Sequence, residues 1–269
     1  MLIDSHCHLD DEAFQGKTDQ IIEESKRNGV ELLINNSCSY QSMLNGETLA
    51  NKYNCVFATI GMHPHDSKNF DNLFIEEMKR LAPTDKIVAV GEIGLDYYYD
   101  LSDRATQKDV FAMQIELADK FGLPITLHVR DAYGDAADIL QAQSKYLNHG
   151  VLWHCYSGSA EFARQMVQKG HFFAFGGAIT FKNAKKQDVI EQIPPDRVLS
   201  ETDSPYMAPV PLRGTTNTPA NIPLVVAKLA EMYNISTQQM EERICRNTFE
   251  LFPKITKFWN KMRQSNNLK

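Results

Sequence analysis

Short runs of apolar residues recur along the chain, and most are followed by a segment with the apolar spacing of a helix. The runs are continuous rather than alternating with polar residues, which is typical of parallel strands buried on both faces. Eight strands alternating with helices predict a closed parallel sheet, so we expect a (β/α)8 TIM barrel formed by one domain over residues 1–269. The predicted strands cover residues 2–5, 31–35, 56–60, 87–91, 124–128, 151–154, 171–175 and 197–200.

Capping residues mark the boundaries of three predicted helices. Asp103 and Ser159 are suited to cap helices predicted over 103–121 and 159–169. A third helix is predicted over 18–28, and a glycine follows directly after each of the three, as is common at helix C-termini.

A doubly wound open sheet is the alternative fold for this pattern. It would need a glycine-rich turn after the first strand to hold a phosphate group. The turn that follows here, from His6 to Asp10, contains no glycine. The barrel is therefore the favoured prediction.

Size and composition agree with one large globular domain. The chain has 269 residues, of which 43% are hydrophobic and 23% charged, and barrels of this kind typically have ~250 residues. No signal-peptide pattern is found at the N-terminus, and no stretch approaches the ~20 apolar residues that span a bilayer. We expect a cytoplasmic protein that makes no membrane contact, and no obligate protein partner is evident.

Charge and cysteine content argue against a protein that coats nucleic acid and against one held together by disulfides or structural zinc. A formal net charge of -6 argues against a protein that coats nucleic acid, although bound cations could still make a site for one strand end. The five cysteines are scattered and form no Cys-x-x-Cys pair, which argues against a disulfide framework or a structural zinc site. They are interpreted as small buried apolar residues.

Residues that commonly bind metals end five of the predicted strands. The C-terminal ends of barrel strands open on one face, so these side chains are expected to converge there. Each one alone would more commonly be a hydrogen-bonded core residue or a salt-bridge partner, but burying six such groups together without a cation would be very costly. The candidate metal ligands are His6, His8, Glu92, His128, His154 and Asp203.

The spacing of these residues sets their direction. His6 and His8 are two positions apart on a strand, so both point to one side and Cys7 points to the other. His154 and Cys155 face opposite ways for the same reason. We therefore expect these cysteines to pack against the helices.

The number of candidate ligands indicates two divalent ions. Four histidines and two carboxylates exceed the needs of one four-coordinate ion, and a pair would lie ~3.5–4 Å apart. Glu92 is the candidate bridge because it lies on the middle contributing strand. The ions would lower the pKa of a bound water, towards about 7 in the case of zinc, and the resulting hydroxide would be the nucleophile. Mg²⁺, Mn²⁺ and Zn²⁺ all remain candidates.

Eight segments distributed along the chain match the motifs of one known family. They are Asp4 to Asp10, Gly61 to His65, Gly91 to Tyr97, Leu127 to Arg130, His154 to Gly158, Glu201 to Tyr206, Arg213-Gly214 with Asn217, and Asn247 to Phe249. In these segments the chain resembles the TatD family of metal-dependent deoxyribonucleases, within the amidohydrolase-like barrel superfamily, over essentially its whole length and in the correct order. The fourth strand carries Glu92 where many small-molecule amidohydrolases carry a carbamylated lysine, which favours the TatD-like branch.

The resemblance implies a role for each ligand. One metal would be held by His6, His8, Glu92 and Asp203, and the second by Glu92, His128 and His154. Asp203 and Glu92 would be the catalytic residues, and Asp203 would also orient or deprotonate the attacking water.

The sequence departs from the family pattern at a few positions. Tyr156 stands where Phe is usual, and Thr216 and Thr218 stand near Asn217 where Arg or Lys and Glu are common. The second difference could alter the grip on the substrate, but neither difference affects the metal ligands.

Other ionisable residues near the predicted strand ends are candidates for substrate binding. His63, His65, Arg130 and Arg213 could hold a phosphate, although structural roles remain open for all four. Asp96 and Tyr97 could contact substrate or cap their loop. His149 and His171 fall at strand starts and are interpreted as structural.

The implied activity is a 3′–5′ exonuclease that hydrolyses phosphodiester bonds of single-stranded DNA or strand ends. The alternative keeps the metal centre but hydrolyses an ester or amide, in a small molecule or an aminoacyl-tRNA. A non-catalytic metal-binding scaffold is the third and least favoured hypothesis.

Overall fold

The computed structural model describes residues 1–266, with side chains up to residue 261, and confirms the predicted (β/α)8 barrel. Its eight strands form one parallel sheet in the order of the sequence. The last three residues of the predicted domain lie outside the described part of the chain. The strands are β1 Leu2–Cys7, β2 Val30–Asn35, β3 Val56–Ile60, β4 Ile87–Asp96, β5 Ile125–Arg130, β6 Val151–Trp153, β7 Phe172–Phe175 and β8 Val198–Ser200.

Helices alternate with the strands and begin at the predicted caps. The Asp103 side chain accepts a hydrogen bond from the backbone N–H of Thr106, and the helix ends at Gly122 with a left-handed φ of 66°. Ser159 accepts from Phe162 in the same way. The helices are α1 Thr18–Arg27, α2 Tyr40–Lys52, α3 Asn72–Leu81, α4 Arg104–Phe121, α5 Tyr133–Ala142, α6 Ala160–Gln168, α7 Gln187–Ile190, α8 Ile222–Tyr233, α9 Thr237–Leu251 and α10 Pro253–Asn266.

Strand β4 extends further than the apolar pattern predicts. The prediction ended it at Gly91, but the strand continues to Asp96, and Glu92 therefore lies inside it. The register with β5 shifts between Val90 and Ile93. Gly94 permits the extension, because a Cβ there would lie 2.0 Å from the backbone oxygen of His128. Glycine interrupts the apolar run but allows close pairing with β5.

The barrel closes between β8 and β1 through side-chain hydrogen bonds. The Ser5 hydroxyl donates to the Ser200 carbonyl at 3.0 Å, and the Ser200 hydroxyl donates to the Ile3 carbonyl at 2.7 Å. The buried Asp4 carboxylate accepts from the backbone N–H and the hydroxyl of Thr202 at 3.0 and 2.5 Å. These bonds hold the strand end that carries His6 beside β8.

Apolar side chains pack in two layers on opposite sides of the strands. The outer layer lies between strands and helices and includes Cys7, as predicted. The second layer fills the barrel interior near the strand starts, where Ile3, Phe57 and Leu199 meet Phe252 of the C-terminal segment. We call this second layer the floor of the barrel. The interior above it is left for polar residues.

Candidate metal centre

The six predicted ligands converge at the C-terminal end of the barrel. Their side chains are almost completely buried, with exposed fractions from 0% for His6 to 18% for His128. His6 lies in β1, Glu92 in β4 and His128 in β5. His8 and His154 follow directly after β1 and β6, and Asp203 lies three residues beyond the end of β8. The structure therefore brings together all the side chains that the sequence selected as ligands.

One group of ligand atoms surrounds the Oε2 atom of Glu92. His6 Nε2 and His8 Nε2 lie 3.4 and 3.8 Å from this oxygen and 3.3 Å from each other. Asp203 Oδ1 lies 3.7 Å from His6 Nε2 and 3.3 Å from His8 Nε2. These four side chains form the first ligand group.

A second group surrounds the other oxygen of the same carboxylate. His154 Nε2 and His128 Nδ1 lie 2.8 and 2.9 Å from Glu92 Oε1 and 3.4 Å from each other. His63 Nε2 lies 3.8 Å from the same oxygen. Glu92 therefore presents one oxygen to each group.

The spacing of these atoms fits bound cations. Four ligands arranged tetrahedrally at ~2.0–2.2 Å from an ion would lie about 3.3–3.6 Å apart. The distances in the first group run from 3.3 to 3.8 Å, and His128 Nδ1 and His154 Nε2 are 3.4 Å apart. The distances from these two nitrogens to Glu92 Oε1, 2.9 and 2.8 Å, are shorter and are those of hydrogen bonds. Imidazole and carboxylate are ligands that suit zinc, manganese and magnesium to different degrees.

Three of the histidines contact a further polar group through the ring nitrogen that does not face the ligand group. The Asp96 carboxylate lies 2.9 Å from His128 Nε2, so His128 Nδ1 faces Glu92. The Asn36 carbonyl lies 3.1 Å from His8 Nδ1, which leaves His8 Nε2 for the ligand group. Glu201 Oε2 lies 3.7 Å from His154 Nδ1. Such outer partners fix the orientation of metal-binding imidazoles.

The electrostatics keep both candidate carboxylate ligands ionised. Burial opposes the charge on Glu92, but His154 and His6, with hydrogen bonds from His128 and His154, hold its pKa well below the usual range. Burial also opposes the charge on Asp203, and the hydrogen bond from His8 with the charges of nearby histidines lowers its pKa. Both carboxylates are thus in the form that binds a cation.

Cys38 lies at the site, although no pattern in the sequence marked it as a candidate and it was interpreted as a small apolar residue. It lies in the loop after β2, and its Sγ atom is 3.7 Å from both Glu92 Oε2 and His8 Nδ1. A cysteine in an irregular loop carries no periodicity, so only the path of the chain reveals this approach.

The strand alternation on which the expectation for Cys155 was based does not extend to this residue. Strand β6 ends at Trp153, and Cys155 has a left-handed φ of 43°, so strand alternation no longer applies. Burial, followed by the charges of Asp203 and Glu201, raises the pKa of the Cys155 thiol well above its usual value. This cysteine lies within electrostatic reach of the carboxylates at the mouth.

The four predicted substrate contacts divide into two kinds. His63 lies beside Glu92, and His65 Nε2 lies 3.1 Å from Asp96 Oδ2, so both histidines belong to the buried network. The two arginines lie against aromatic rings instead. Arg130 is 3.8 Å from the ring centroid of Tyr98, and Arg213 is 4.5 Å from that of Phe181.

The remaining candidates have structural contacts. Asp96 accepts hydrogen bonds from the backbone N–H groups of Tyr98 and Tyr99, and thus caps its loop as well as contacting His128. The Tyr97 hydroxyl donates to Asp135. His171 is buried just before β7 and accepts a hydrogen bond from Trp153 Nε1 in the outer layer, as befits a structural residue.

Comparison with known proteins identifies the family. Residues 3–253 match the family model described as TatD related DNase. The chain belongs to the TatD family. It is 36% identical over 253 residues to the uncharacterized metal-dependent hydrolase YabD of Bacillus subtilis, covering 94% of this chain and 99% of that protein. An uncharacterized metal-dependent hydrolase of Escherichia coli K12, YcfH, is 32% identical over 255 residues, covering 93% and 95%.

Solved structures agree with this TatD assignment. The crystal structure of the TatD homologue YJJV from Escherichia coli K12 superposes with a TM-score of 0.88 at 30% identity, covering 94% of this chain and 98% of that one. A TatD family hydrolase from Entamoeba histolytica shares the fold, with a TM-score of 0.84 at 23% identity and coverage of 93% and 97%. The chain is therefore a metal-dependent hydrolase of the TatD family.

Among the residues described by the structure, no helix combines the length and apolar character required to cross a bilayer.

Proposed function

We propose that this TatD protein hydrolyses phosphodiester bonds of DNA, removing nucleotides from the 3′ end of a single strand with two divalent ions. The observation that carries the proposal is the arrangement around Glu92, whose Oε2 faces His6 and His8 and whose Oε1 faces His128 and His154. A carboxylate that presents one oxygen to each of two ligand groups is suited to bridge two cations.

The ions would be held by the two ligand groups that share Glu92. Mg²⁺, Mn²⁺ or Zn²⁺ bound there supplies acidification of water and neutralisation of charge on the phosphate. The protein fixes both groups in a buried setting, where electrostatic interactions are strong.

Asp203 is the residue we assign to the attacking water. Its side chain is 13% exposed, against 3% for Glu92, so it is the carboxylate closer to solvent at the mouth. Its Oδ1 is oriented by His8 at 3.3 Å. From this position Asp203 can orient a water and accept its proton, while Glu92 holds the two ligand groups together.

Two arginines support a phosphate-containing substrate. Among the described residues, neither Arg130 nor Arg213 forms an ion pair with a carboxylate. Arg130 ends β5, and Arg213 lies in the segment that follows β8. A guanidinium that is not neutralised by a carboxylate can form bidentate contacts with phosphate oxygens.

The test is a time course on single-stranded DNA labelled at either the 5′ or the 3′ end. We expect Mg²⁺- or Mn²⁺-dependent release of mononucleotides from the 3′-labelled end, and none in EDTA. Asp203→Asn should reduce the rate by at least about 100-fold, the usual scale for loss of a general base. Asp188→Asn, which alters an exposed aspartate of α7, serves as the matched control.

Two results would contradict the proposal. Full activity in Asp203→Asn would remove the assigned role of that residue. If DNA is not cleaved with any of the three metals but an aminoacyl ester or an amide is hydrolysed, the protein would be an ester or amide hydrolase.

A further inference from the structure

Large apolar side chains are exposed mainly in two segments at the mouth of the barrel. Residues 98–101 follow β4, and residues 206–212 follow β8. Because strand order follows the sequence, β4 and β8 lie on opposite sides of an eight-stranded barrel. Among the described residues, these two segments contain six of the eight exposed large hydrophobic side chains: Tyr98, Tyr99, Leu101, Tyr206, Val210 and Leu212, the other two being Leu73 and Met113.

The segment after β4 presents two tyrosine rings on a fixed backbone. Tyr98 and Tyr99 are 57% and 54% exposed, yet the Asp96 carboxylate accepts hydrogen bonds from their backbone N–H groups at 3.0 and 2.8 Å. Asp96 also contacts His128, which ties this segment directly to the second ligand group. The backbone that carries the rings is therefore fixed, while more than half of each side chain stays exposed.

A cation and a site histidine adjoin these rings. The Arg130 guanidinium lies 3.8 and 5.1 Å from the ring centroids of Tyr98 and Tyr99. The Tyr99 ring lies 5.3 Å from the ring of His65, edge to face. Exposed aromatic rings beside an arginine combine the surfaces that stack with bases and the charge that attracts phosphate.

A single tyrosine stands on the opposite side of the mouth. Tyr206 is 55% exposed, and its ring lies 6.4 Å from that of His8 in the first ligand group. Its hydroxyl donates to Asp11 at 3.0 Å, which fixes the orientation of the ring. Exposed aromatic rings thus flank both ligand groups.

We infer that Tyr98 and Tyr99, with Arg130 beneath them, form a stacking platform for the bases of a single-stranded nucleic acid, and that Tyr206 contacts the strand across the mouth. This inference rests on the proposed function, which places a strand in the site. A base stacks on an aromatic ring whatever its sequence, so the platform fits a substrate that is recognised without sequence preference. Duplex DNA, whose bases are already stacked, would not use these rings.

The experiment separates binding from cleavage. Binding of a fluorescently labelled single strand is measured by anisotropy in the Asp203→Asn background, and cleavage is measured with Asp203 intact. The strand is used with natural bases and with abasic sites at its terminal nucleotides. Tyr98→Ala and Tyr206→Ala are compared with Tyr98→Phe, which keeps the ring, and with Leu73→Ala, which removes a side chain that is 63% exposed on α3.

We expect Tyr98→Ala to weaken binding of the natural strand by about tenfold, within the range measured for one base stacked on an aromatic ring. Tyr206→Ala should have a smaller effect in the same direction, and Tyr98→Phe and Leu73→Ala should bind like the parent. The abasic strand should bind more weakly to the parent and be almost unaffected by Tyr98→Ala. In the active protein, Tyr98→Ala should raise KM and leave kcat nearly unchanged.

The outcomes distinguish this inference from the proposed function. Equal affinities of Tyr98→Ala and Leu73→Ala for the natural strand, or equal losses on the natural and abasic strands, would overturn the platform even if DNA is cleaved. Tyrosine-dependent binding without cleavage by the wild type would overturn the proposed function and retain the platform. A strand that is neither bound nor cleaved would overturn both.

Discussion

The two ends of the barrel interior are built from the same strands but have opposite chemistry. At the mouth, buried imidazoles and carboxylates face one another around Glu92. At the floor, Ile3, Phe57 and Leu199 pack against Phe252. Buried apolar surface stabilises the fold, whereas a cluster of buried ionisable groups is costly until cations bind. Of the two ends of the barrel interior, the floor therefore contributes to stability, and the mouth is left available for chemistry.

The largest effect on stability is expected when a large side chain is removed from the floor. Phe252 is completely buried where the C-terminal segment meets the strand starts. Phe252→Ala should lower the free energy of unfolding by about 4 kcal/mol, because it leaves a cavity. Urea-induced unfolding measures this loss, and Leu73→Ala, at a site that is 63% exposed, is the control.

The same variant should leave the mouth intact. We expect Phe252→Ala to bind as much metal as the wild type under conditions in which it is folded. A large loss of bound metal with little loss of stability would show that the two ends are not separate in function.

A pH titration tests the buried histidine beside the start of β7, away from the mouth. Burial lowers the pKa of His171 from 6.5 to about 4. Between these values the unfolded chain binds more protons than the folded one, so stability is complete above pH 6.5 and falls as the pH drops towards 4. His171 alone should make the wild type lose about 2 kcal/mol between about pH 7.5 and about pH 5.

His171→Gln isolates this contribution. A glutamine oxygen can still accept the hydrogen bond from Trp153 but does not titrate in this range. Urea unfolding of both proteins at the two pH values should show a smaller acid-induced loss in the variant. Equal losses in the two proteins would mean that His171 titrates normally in the folded state.

The smallest effect is expected for Asp96, which contacts the ligand His128 on the side away from Glu92. Asp96 lies 2.9 Å from His128 Nε2 and directs the other nitrogen towards Glu92. Asp96→Asn keeps an oxygen but removes the charge that supports the imidazole, so metal affinity should fall about tenfold, the lower end of the range for such outer partners. Competition with a chelator measures the change, with Asp188→Asn as the control. An unchanged affinity would limit Asp96 to capping its loop.

Strand order and the convergence of the candidate ligands could be predicted because each left a regular signal in the sequence. Continuous apolar runs located the strands, and His6, His8 and His128 stand in or directly beyond them. The extension of β4 to Asp96 was missed because Gly91 and Gly94 interrupt its apolar run.

Features that depend on the path of the chain could not be predicted in the same way. Cys38 lies beside Glu92 in an irregular loop. Cys155 lies beyond the end of β6 and has a left-handed φ, so strand alternation does not determine its direction. The closure of the barrel through Ser5 and Ser200 also depends on three-dimensional proximity, since these residues are 195 positions apart.

The most direct test of the shared metal centre is the metal content of the wild type and of Glu92→Gln, measured by mass spectrometry after dialysis against Mn²⁺. Circular dichroism would check that both proteins are folded. We expect two ions per chain in the wild type and loss of both in the variant, because both ligand groups share this carboxylate. An unchanged metal content in folded Glu92→Gln would contradict the shared centre on which the proposed function depends.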